Sequence, residues 1–450
     1  MAEATSVAAL EGDKPTRRQW KWTALAAMAN YIDAGSIVAG ASGLGLWQTY
    51  FHMSNSLVGL LGAISSNAIS AGVGALIGGR ICDKFGRKKI YSWDLLVYAF
   101  GLLWIIFAIK AWMIVVGYII VGLAVGADVP ASWTVIAELA PTKSRGKLSG
   151  LAQALWNTGP MVCLLLAAAL SPLGVLGTRL VFVHLFIIAL VTWMMRRGMA
   201  ESIRWQQASG TRSAAERKTS DYGGLSRDGY RALFTERHIG ALVFLISMYG
   251  LWNLNAGTQG FFSPYILQTV GGESHATSLI MGCLGFALGV LGNLLIFMPF
   301  IDRVNHRVFF GVSALLQVCG MALFGMFPLT IFVVLCNVVL GSLAGGFGQQ
   351  AFFQLWSSEL FPTMIRSTAQ GVAFAVIRIG LGFWSFFVPI LTATGFRSLA
   401  WILTSFLAAS ALIGIIWTPQ TRGKTLEEIE RERSGGLVAA DAGGVSFHSE

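Results

Sequence analysis

The amino-acid sequence predicts an all-α membrane protein with twelve spanning helices, arranged as two six-helix halves. Three observations support this fold class. Charged residues make up 12% of the 450 residues and apolar residues 55%, which is far from the balance of soluble domains. Apolar runs long enough to cross a bilayer occur twelve times. Short sequence motifs in the loops recur with an offset of about 220 residues, which indicates a duplicated unit.

The spans are predicted to be helices rather than strands of a barrel. Barrel strands alternate polar and apolar residues over about ten positions, whereas these runs are continuously apolar. Backbone groups in hydrocarbon must find hydrogen-bond partners within their own segment, which a helix provides. The predicted spans are 24–47, 56–79, 91–109, 112–137, 148–170, 180–195, 239–269, 276–301, 308–327, 329–356, 368–391 and 398–417.

Basic residues are distributed unevenly around these spans. If the sides alternate from a first helix that begins inside, 28 of the 32 Lys and Arg residues fall on the inner face. Lys110, Arg179 and Arg397 fall outside, and Arg378 lies within a span. This bias predicts that both termini are cytoplasmic. The predicted divisions are a cytoplasmic tail (1–23), a first half (24–195), a cytoplasmic linker (196–237), a second half (238–417) and a second cytoplasmic tail (418–450).

Several other classes of protein fit the sequence poorly. The net charge is +10, but the basic residues lie in loops between spans, so we expect contact with the lipid bilayer and no nucleic-acid partner. The five cysteines lack paired spacing, which predicts neither a disulfide framework nor a metal site. The Gly-Lys-Thr at 423–425 has Thr418 where a phosphate-binding loop requires glycine. We expect no enzyme activity, no cofactor and no removable signal peptide.

Loop sequences repeat between the two halves. The segment 83–87, Asp-Lys-Phe-Gly-Arg, has a weaker counterpart at 302–307, which begins 219 residues later. The segment 138–145, Glu-Leu-Ala-Pro-Thr-Lys-Ser-Arg, recurs at 359–366 with an offset of 221. The segments that follow the sixth and twelfth spans also correspond. Two such halves, related by an axis along the membrane normal, would place a substrate site between them near the midplane.

These motifs resemble those of the major facilitator superfamily, and of its sugar porter branch in particular, over the whole chain. The resemblance rests on Gly-x-x-x-Asp-Lys-x-Gly-Arg-Lys at 79–88, on the repeated Glu-Leu motifs and on Pro-x-Thr-x-Gly-Lys at 419–424. It implies that contacts among these residues close the cytoplasmic side in one state and break in the other. A plainer hypothesis is that the basic loops act as topology signals alone. The predicted gate residues are Gly79, Asp83, Gly86, Arg87, Glu138, Arg145, Asp302, Arg303, Glu359 and Arg366.

The chemistry of these residue types suggests how a gate would form. Asp83 is expected to accept backbone hydrogen bonds at the N-terminus of a neighbouring helix, where partial positive charge collects. Gly79 and Gly86 are expected to allow close approach of helices and loop. Arg145 and Arg366 are expected to pair with the carboxylates of the repeated loops.

Charged residues inside spans are costly and usually face a cavity. We identify three: Asp33, Asp128 and Arg378. Asp33 lies about 15 Å into the first span, in a Tyr-x-Asp-x-Gly sequence similar to the one that opens sugar porters, whose acid handles the coupling proton. Asp128 precedes Pro130, which is expected to kink the helix beside it. We predict Asp33 and Asp128 as proton-coupling residues, and a static interhelical hydrogen bond is the alternative for Asp33.

The role of Arg378 has two open interpretations. In hexose-type porters an arginine of the fourth helix pairs with the acid of the first helix, but here Tyr118 stands at the matching position. Arg378 is then the only deep cation that we identify. It either neutralises an aspartate or holds a carboxylate substrate with its planar guanidinium.

Polar residues occur within the seventh and tenth spans at helical spacing, so that each set lies on one face of its helix. By resemblance, the first, fourth, seventh and tenth helices line the central cavity. Carboxamides both donate and accept hydrogen bonds and therefore suit hydroxyl-rich ligands. The glutamine that hexose porters carry in the fifth helix is expected to be replaced by Pro160, so a standard hexose site is not predicted. The predicted substrate-binding residues are Trp252, Asn253, Asn255, Gln259, Gln350, Gln354, Trp356 and Arg378.

Together these features predict a monomeric secondary active transporter in the cytoplasmic membrane. It would move a small polar metabolite such as a sugar, polyol or sugar acid, by proton symport with alternating access. Two alternatives are kept: a proton symporter of organic acids that uses Arg378, and a non-transporting nutrient sensor on the same fold. Facilitated diffusion without proton coupling also stays open.

Overall fold

Within the part of the chain that the computed structural model describes, twelve helices are long and apolar enough to cross a membrane, which confirms the predicted fold class. The structure describes residues 14–64, 68–210, 230–231 and 233–433. The spanning helices are α1 (Arg17–Tyr50), α2 (Asn55–Ile64 and Ile69–Phe85), α3 (Arg87–Ile106), α4 (Ala111–Leu139), α5 (Thr142–Ala169), α6 (Val175–Arg196), α7 (His238–Pro264), α8 (Ala276–Phe300), α9 (His306–Met326), α10 (Ile331–Glu359), α11 (Arg366–Val388) and α12 (Gly395–Ile416).

Helices α1 to α6 form the first half and α7 to α12 the second, and the halves meet along two seams. In one seam α2 packs against α11, and in the other α5 packs against α8. Each seam therefore joins the second helix of one half to the fifth helix of the other. A two-fold relation between duplicated halves produces this reciprocal pairing of second and fifth helices.

The first and last described segments of the chain lie on one side of the bundle, which we call the terminal side. Near the start of α1, Gln19 Nε2 donates to the carbonyl of Leu139 at 2.9 Å. Beyond the end of α12, the carbonyl of Lys424 accepts from Arg145 Nη1 at 3.4 Å. Two short helices, Ile203–Gly210 and Leu426–Arg433, also lie here, where Arg204 and Glu427 are 3.3 Å apart. The central part of the predicted linker, 211–229, falls outside the described residues.

Close approach at the α2–α11 seam depends on glycine. A Cβ atom added to Gly79 would lie 2.2 Å from the carbonyl oxygen of Ser367, so any side chain there would force the helices apart. Gly86 has a φ of 95° and connects α2 directly to α3. The predicted loop between the second and third spans, residues 80–90, is therefore too long, because both helices continue until Gly86 alone separates them.

Helix α10 is irregular where it passes between the halves. A π-helical turn covers Val338–Ser342, and the α-helix resumes at Gln349–Glu359 after an interruption at 346–348. Helix α8 carries a matching π-helical turn at Asn293–Phe297, and Asn293 Nδ2 donates to the carbonyl of Gly346 at 3.0 Å. These turns shift side chains around the helix axis, next to a cavity between the halves.

Candidate functional site

A cavity of about 210 Å³ lies between the halves. Helices α1 and α5 form one wall and helices of the second half form the rest. Leu329, in the connection between α9 and α10, also lines it, so the cavity extends toward the side opposite the termini. Among the described residues no charged side chain lines it. Its polar and aromatic lining comprises Ser42, Gln153, Trp156, Asn157, Trp252, Asn255, Thr258, Gln259, Ser263, Phe286, Gln317, Phe324, Asn337, Ser342 and Phe396.

Three predicted binding residues, all on α7, line the cavity. Trp252 donates its indole N–H to Gln317 Oε1 at 2.7 Å, which fixes the orientation of both side chains. Gln259 Nε2 lies 3.3 Å from the sulfur of Met321, a weak acceptor. Asn255 Oδ1 is buried and has no hydrogen-bond partner among the described residues. These carboxamides therefore retain hydrogen-bonding capacity for a ligand.

The other predicted binding carboxamides are buried beside the cavity rather than in its lining. Asn253 Nδ2 donates to Tyr249 Oη at 3.3 Å, and Tyr249 in turn donates to Gln350. Gln354 Nε2 donates to Gln153 Oε1 at 3.2 Å, which joins α10 to α5 across the two halves. In this conformation their observed role is to hold the wall of the cavity.

Trp356 likewise lies outside the lining. It is fully buried in an aromatic cluster, with its ring 4.7 Å from that of Phe352 and 5.7 Å from that of Phe310. Its surroundings are those of a packing residue of the second half.

The polar lining of α5 was not predicted from the sequence. Gln153 and Asn157 lie one helical turn apart and both face the cavity. The expectation that α5 lacks a glutamine there is wrong, because Gln153 supplies it seven residues before Pro160. The i, i+4 spacing that drew attention to Asn255 and Gln259 was present here too.

Asp33 and Arg378 form an ion pair between the halves. Asp33 Oδ2 on α1 and Arg378 Nη2 on α11 are 3.6 Å apart, and their side chains are 3% and 2% exposed. The guanidinium of Arg378 also lies 4.5 Å from the ring centroid of Phe374. Of the two interpretations of Arg378, neutralisation of an aspartate is therefore the arrangement that the structure contains. Arg378 is not in the cavity lining.

Asp128 belongs to a different buried cluster, near the terminal end of the first half. Arg196 Nη1 lies 2.8 Å from Asp128 Oδ2 and 3.4 Å from Asp94 Oδ2. Ser132 Oγ donates to Asp128 Oδ1 at 2.7 Å. Arg196 also donates to the carbonyls of Leu25 and Ala26, each at 2.9 Å. The cluster ties α1, α3, α4 and α6 together and makes none of these contacts across the halves.

This cluster corrects the count of charged residues in the spans. Asp94 lies inside the predicted third span and was not counted, and Arg196 was assigned to the linker although it ends α6 and is 1% exposed. Arg378 is therefore not the only deep cation. The signal for Asp94 was visible in the sequence, whereas Arg196 was lost through a span boundary placed one residue too early.

On the terminal side, Asp83 accepts hydrogen bonds from the first turn of α11. The backbone N–H groups of Ser367 and Thr368 donate at 3.3 and 2.6 Å, and Thr368 Oγ1 donates at 2.8 Å. These are the backbone hydrogen bonds that the sequence predicted for Asp83. Because α2 and α11 belong to different halves, they hold the terminal side closed in this structure.

Asp302 makes the equivalent contact at the other seam. It follows α8 and accepts from the backbone N–H groups of Gly146 and Lys147 at 3.0 and 3.1 Å, at the start of α5. Burial raises the pKa of the Asp302 carboxyl to about 6, although these two donors act in the opposite direction. Arg303, the next predicted gate residue, is exposed, and its backbone carbonyl accepts from Arg422 Nη1 at 2.8 Å.

Buried ion pairs connect the repeated motifs across the seams. Arg145 Nη1 lies 2.9 Å from Glu359 Oε1, and Arg366 Nη1 lies 3.0 Å from Glu138 Oε1. Each pair joins the arginine of one copy of the motif to the glutamate of the other copy. Arg87 Nη2 also lies 2.8 Å from Glu138 Oε1. Opening the terminal side would have to break the Arg145–Glu359 and Arg366–Glu138 pairs together, whereas the Arg87–Glu138 pair lies within the first half.

The twelve helices in two halves, with a cavity between them and buried contacts closing one side, define a membrane transporter of the major facilitator fold. Residues 35–432 match the family model described as "Sugar (and other) transporter", and the chain belongs to that family. It is 46% identical to the minor myo-inositol transporter IolF of Bacillus subtilis (strain 168), over 92% of this chain and 94% of that protein.

Two further comparisons are more distant. The chain is 27% identical to the cis,cis-muconate transport protein of Acinetobacter baylyi, over 88% of this chain and 93% of that protein. The solved structure of the proton:xylose symporter XylE bound to 6-bromo-6-deoxy-D-glucose superposes with a TM-score of 0.76 at 20% identity, covering 92% of this chain and 99% of that one. The chain is thus similar throughout its length to sugar, polyol and organic-acid transporters.

Proposed function

We propose that this transporter carries a neutral cyclic polyol or sugar, with myo-inositol as the first candidate, by proton symport. The observation that carries the proposal is the uncharged lining of the cavity. Carboxamides and tryptophans line it, while Arg378 is held by Asp33 outside the lining. A hydroxyl-rich neutral molecule matches these donors and acceptors and gives the aromatic rings an apolar face to contact.

A carboxylate substrate fits this cavity less well. Its charge would lose water without meeting a cation in the described lining, and an unpaired buried charge is costly. Sequence similarity supports the same choice, since identity is 46% to the myo-inositol transporter and 27% to the muconate transport protein. The organic-acid alternative would require Arg378 to leave Asp33 and enter the cavity.

Proton coupling is assigned to the pair of Asp33 and Arg378. The pair joins α1 to α11 near mid-membrane, so its strength depends on the relative position of the halves. Protonation of Asp33 would remove one charge and weaken this link between them. We propose that protonation of Asp33 lets the halves move while the substrate is bound. The deprotonated protein without substrate then changes back to its starting conformation in a separate step.

Asp128 is proposed to have a structural role in the first half rather than a proton-coupling one. Two carboxylates, Asp94 and Asp128, face a single guanidinium, Arg196, in a buried cluster. A proton on Asp94 would leave one carboxylate opposite one guanidinium and make the cluster neutral, which is the least costly state for groups out of water. Since these contacts lie within one half, we assign that proton a structural role rather than a transported one.

The terminal side is proposed to face the cytoplasm, in the cytoplasmic membrane. The excess of Lys and Arg in the loops on that side supports this orientation. The present conformation would then be open toward the outside and closed inside by Asp83, Asp302 and the crossed ion pairs. One chain contains the whole cavity and both seams, which supports a monomer as the working unit.

Uptake of labelled myo-inositol into proteoliposomes tests this function. We expect accumulation above equilibrium when the outside is acidic, competition by other cyclic polyols or sugars, and little competition by cis,cis-muconate. Uptake that only equilibrates would support facilitated diffusion, and dominant competition by muconate would support the organic-acid alternative. Binding without any uptake would support the sensor.

A further inference from the structure

Trp156 stands between the cavity and Asp33. Its side chain lines the cavity from α5, and its indole N–H lies beside the carboxylate of Asp33 on α1. The Trp156 ring also packs against Phe286 of α8, in the other half, with ring centroids 6.2 Å apart. One side chain therefore touches the proposed substrate space, the proposed proton site and the facing half.

The hydrogen-bonding state of this side chain is unusual for its depth. Neither Trp156 Nε1 nor Asp33 Oδ1 has a hydrogen-bond partner among the described residues, and both atoms are buried. Buried polar groups are nearly always paired, so an uncommitted donor beside an uncommitted acceptor is ready to form a hydrogen bond when the local geometry changes. An indole N–H can only donate. It can donate a strong hydrogen bond either to the Asp33 carboxylate or to an acceptor in the cavity, but not to both at once.

The other groups that face Asp33 are already committed. Arg378 on α11 lies 3.6 Å from Asp33 Oδ2, and Asp128 on α4 is held by Arg196. Tyr249 on α7 is bonded to Gln350 and Asn253. On α3, the hydroxyl of Tyr98 is bonded to Ser36. Trp156 is thus the neighbour of Asp33 whose uncommitted N–H can bond a ligand in the cavity.

We propose that Trp156 is a positioning residue that couples substrate to proton, an inference that rests on the proposed function. With the cavity empty, the N–H lies beside the carboxylate of Asp33, and its partial positive charge stabilises the deprotonated form. When a substrate hydroxyl accepts that N–H, the carboxylate loses a stabilising donor and binds a proton more tightly. By thermodynamic reciprocity, a protonated Asp33 leaves the N–H to the substrate and raises substrate affinity. Substrate and proton therefore increase each other's affinity, as symport requires.

The test compares Trp156→Phe with Trp193→Phe in the full-length protein, using myo-inositol binding as a function of pH. Trp193 is a matched control, because it lies in the same half, is also half-buried and donates its N–H to Ser92 O at 3.0 Å, far from the cavity. In the wild type, affinity should weaken by up to about tenfold per pH unit above the range in which Asp33 binds its proton. W193F should keep this slope, while W156F should lose most of it and still bind.

A purely structural role for Trp156 predicts another outcome. Affinity would then fall at every pH by the same factor, and an unchanged slope in W156F overturns the proposal. If W156F is too unstable to measure, W156H keeps a ring N–H and should retain the slope, and its loss would also overturn the proposal. Wild-type protein in weak buffer should take up protons when myo-inositol is added, and an absence of uptake despite binding counts against the coupling. Failure of the wild type to bind any polyol or sugar would instead contradict the proposed function.

Discussion

Asp33 Oδ2 and Arg378 Nη2 lie 3.6 Å apart and belong to different halves of the transporter, so this charge pair links the halves about halfway along α1. Both side chains are almost fully buried. Removing one member of a buried pair leaves an uncompensated charge, whereas removing both does not. This asymmetry allows the pair to be tested independently of transport.

We expect Arg378→Gln to destabilise the protein by about 3–5 kcal/mol, because Asp33 would stay buried without its cation. The double variant with Asp33→Asn should recover much of that loss, and the measurement is thermal unfolding in detergent at neutral pH. Additive effects of the two changes would contradict a direct pairing.

A second prediction concerns pH and the closed terminal side. Burial raises the pKa of Asp302 to about 6 when its seam is closed, whereas an exposed aspartate has a pKa of about 3.9. Between these values the closed form binds more protons than an open form, so a lower pH favours closure. From pH 7.5 to 5.5 the shift should be about fourfold.

Alkylation of Cys82 can report this shift. Its thiol is buried at the α2–α11 seam, 3.3 Å from the hydroxyl of Ser367, and should react only when the terminal side opens. In a protein whose other four cysteines are replaced, labelling should slow at low pH more than in the same protein carrying Asp302→Asn. That second protein corrects for the titration of the thiol itself. Equal slowing of labelling in both proteins would show that Asp302 does not control closure of the terminal side.

The cluster of Asp94, Asp128 and Arg196 predicts unequal effects of its members. Arg196→Ala leaves two buried carboxylates without their cation and should cost about 3–5 kcal/mol of stability. Asp94→Asn leaves the 2.8 Å pair between Arg196 and Asp128 intact and should cost much less. Thermal unfolding of the two variants measures the difference, and similar losses would mean that the charges are not balanced as proposed.

Gln153 provides a test of the cavity lining. It faces the cavity and accepts from Gln354 Nε2 at 3.2 Å, so Gln153→Leu removes hydrogen-bonding groups from both the wall and the substrate space. We expect KM for myo-inositol to rise by about tenfold or more, because a site built for hydroxyl groups loses affinity steeply when a partner is missing. Gln206→Leu, on the exposed face of the linker helix, should leave KM unchanged. An unaltered KM in Gln153→Leu would show that the substrate does not bind beside Gln153.

Much of the fold was predictable because lipid imposes a simple rule on backbone groups. The twelve apolar runs and the duplicated loops were enough to predict two halves, and the chemistry of Asp83 was enough to predict its bonds to a helix N-terminus. These inferences depend on local residue types. They needed no knowledge of which helices are neighbours.

The pairing of charges was less predictable, because it depends on tertiary contacts. Nothing local to Asp33 indicates that Arg378, in the other half, is its partner. Arg196 was missed because the boundary of α6 was placed one residue before it, which moved a buried cation into a loop. Trp156 carried no sequence signal at all, since its importance arises only from lying between Asp33 and the cavity.

Comparison of Asp33→Asn with the wild type in proteoliposomes tests the central claim most directly. Both proteins should exchange labelled for unlabelled myo-inositol across the membrane, since exchange needs no net proton movement. Only the wild type should accumulate myo-inositol against its gradient when an acidic outside is imposed. Full pH-driven accumulation by the Asp33→Asn protein would contradict the account.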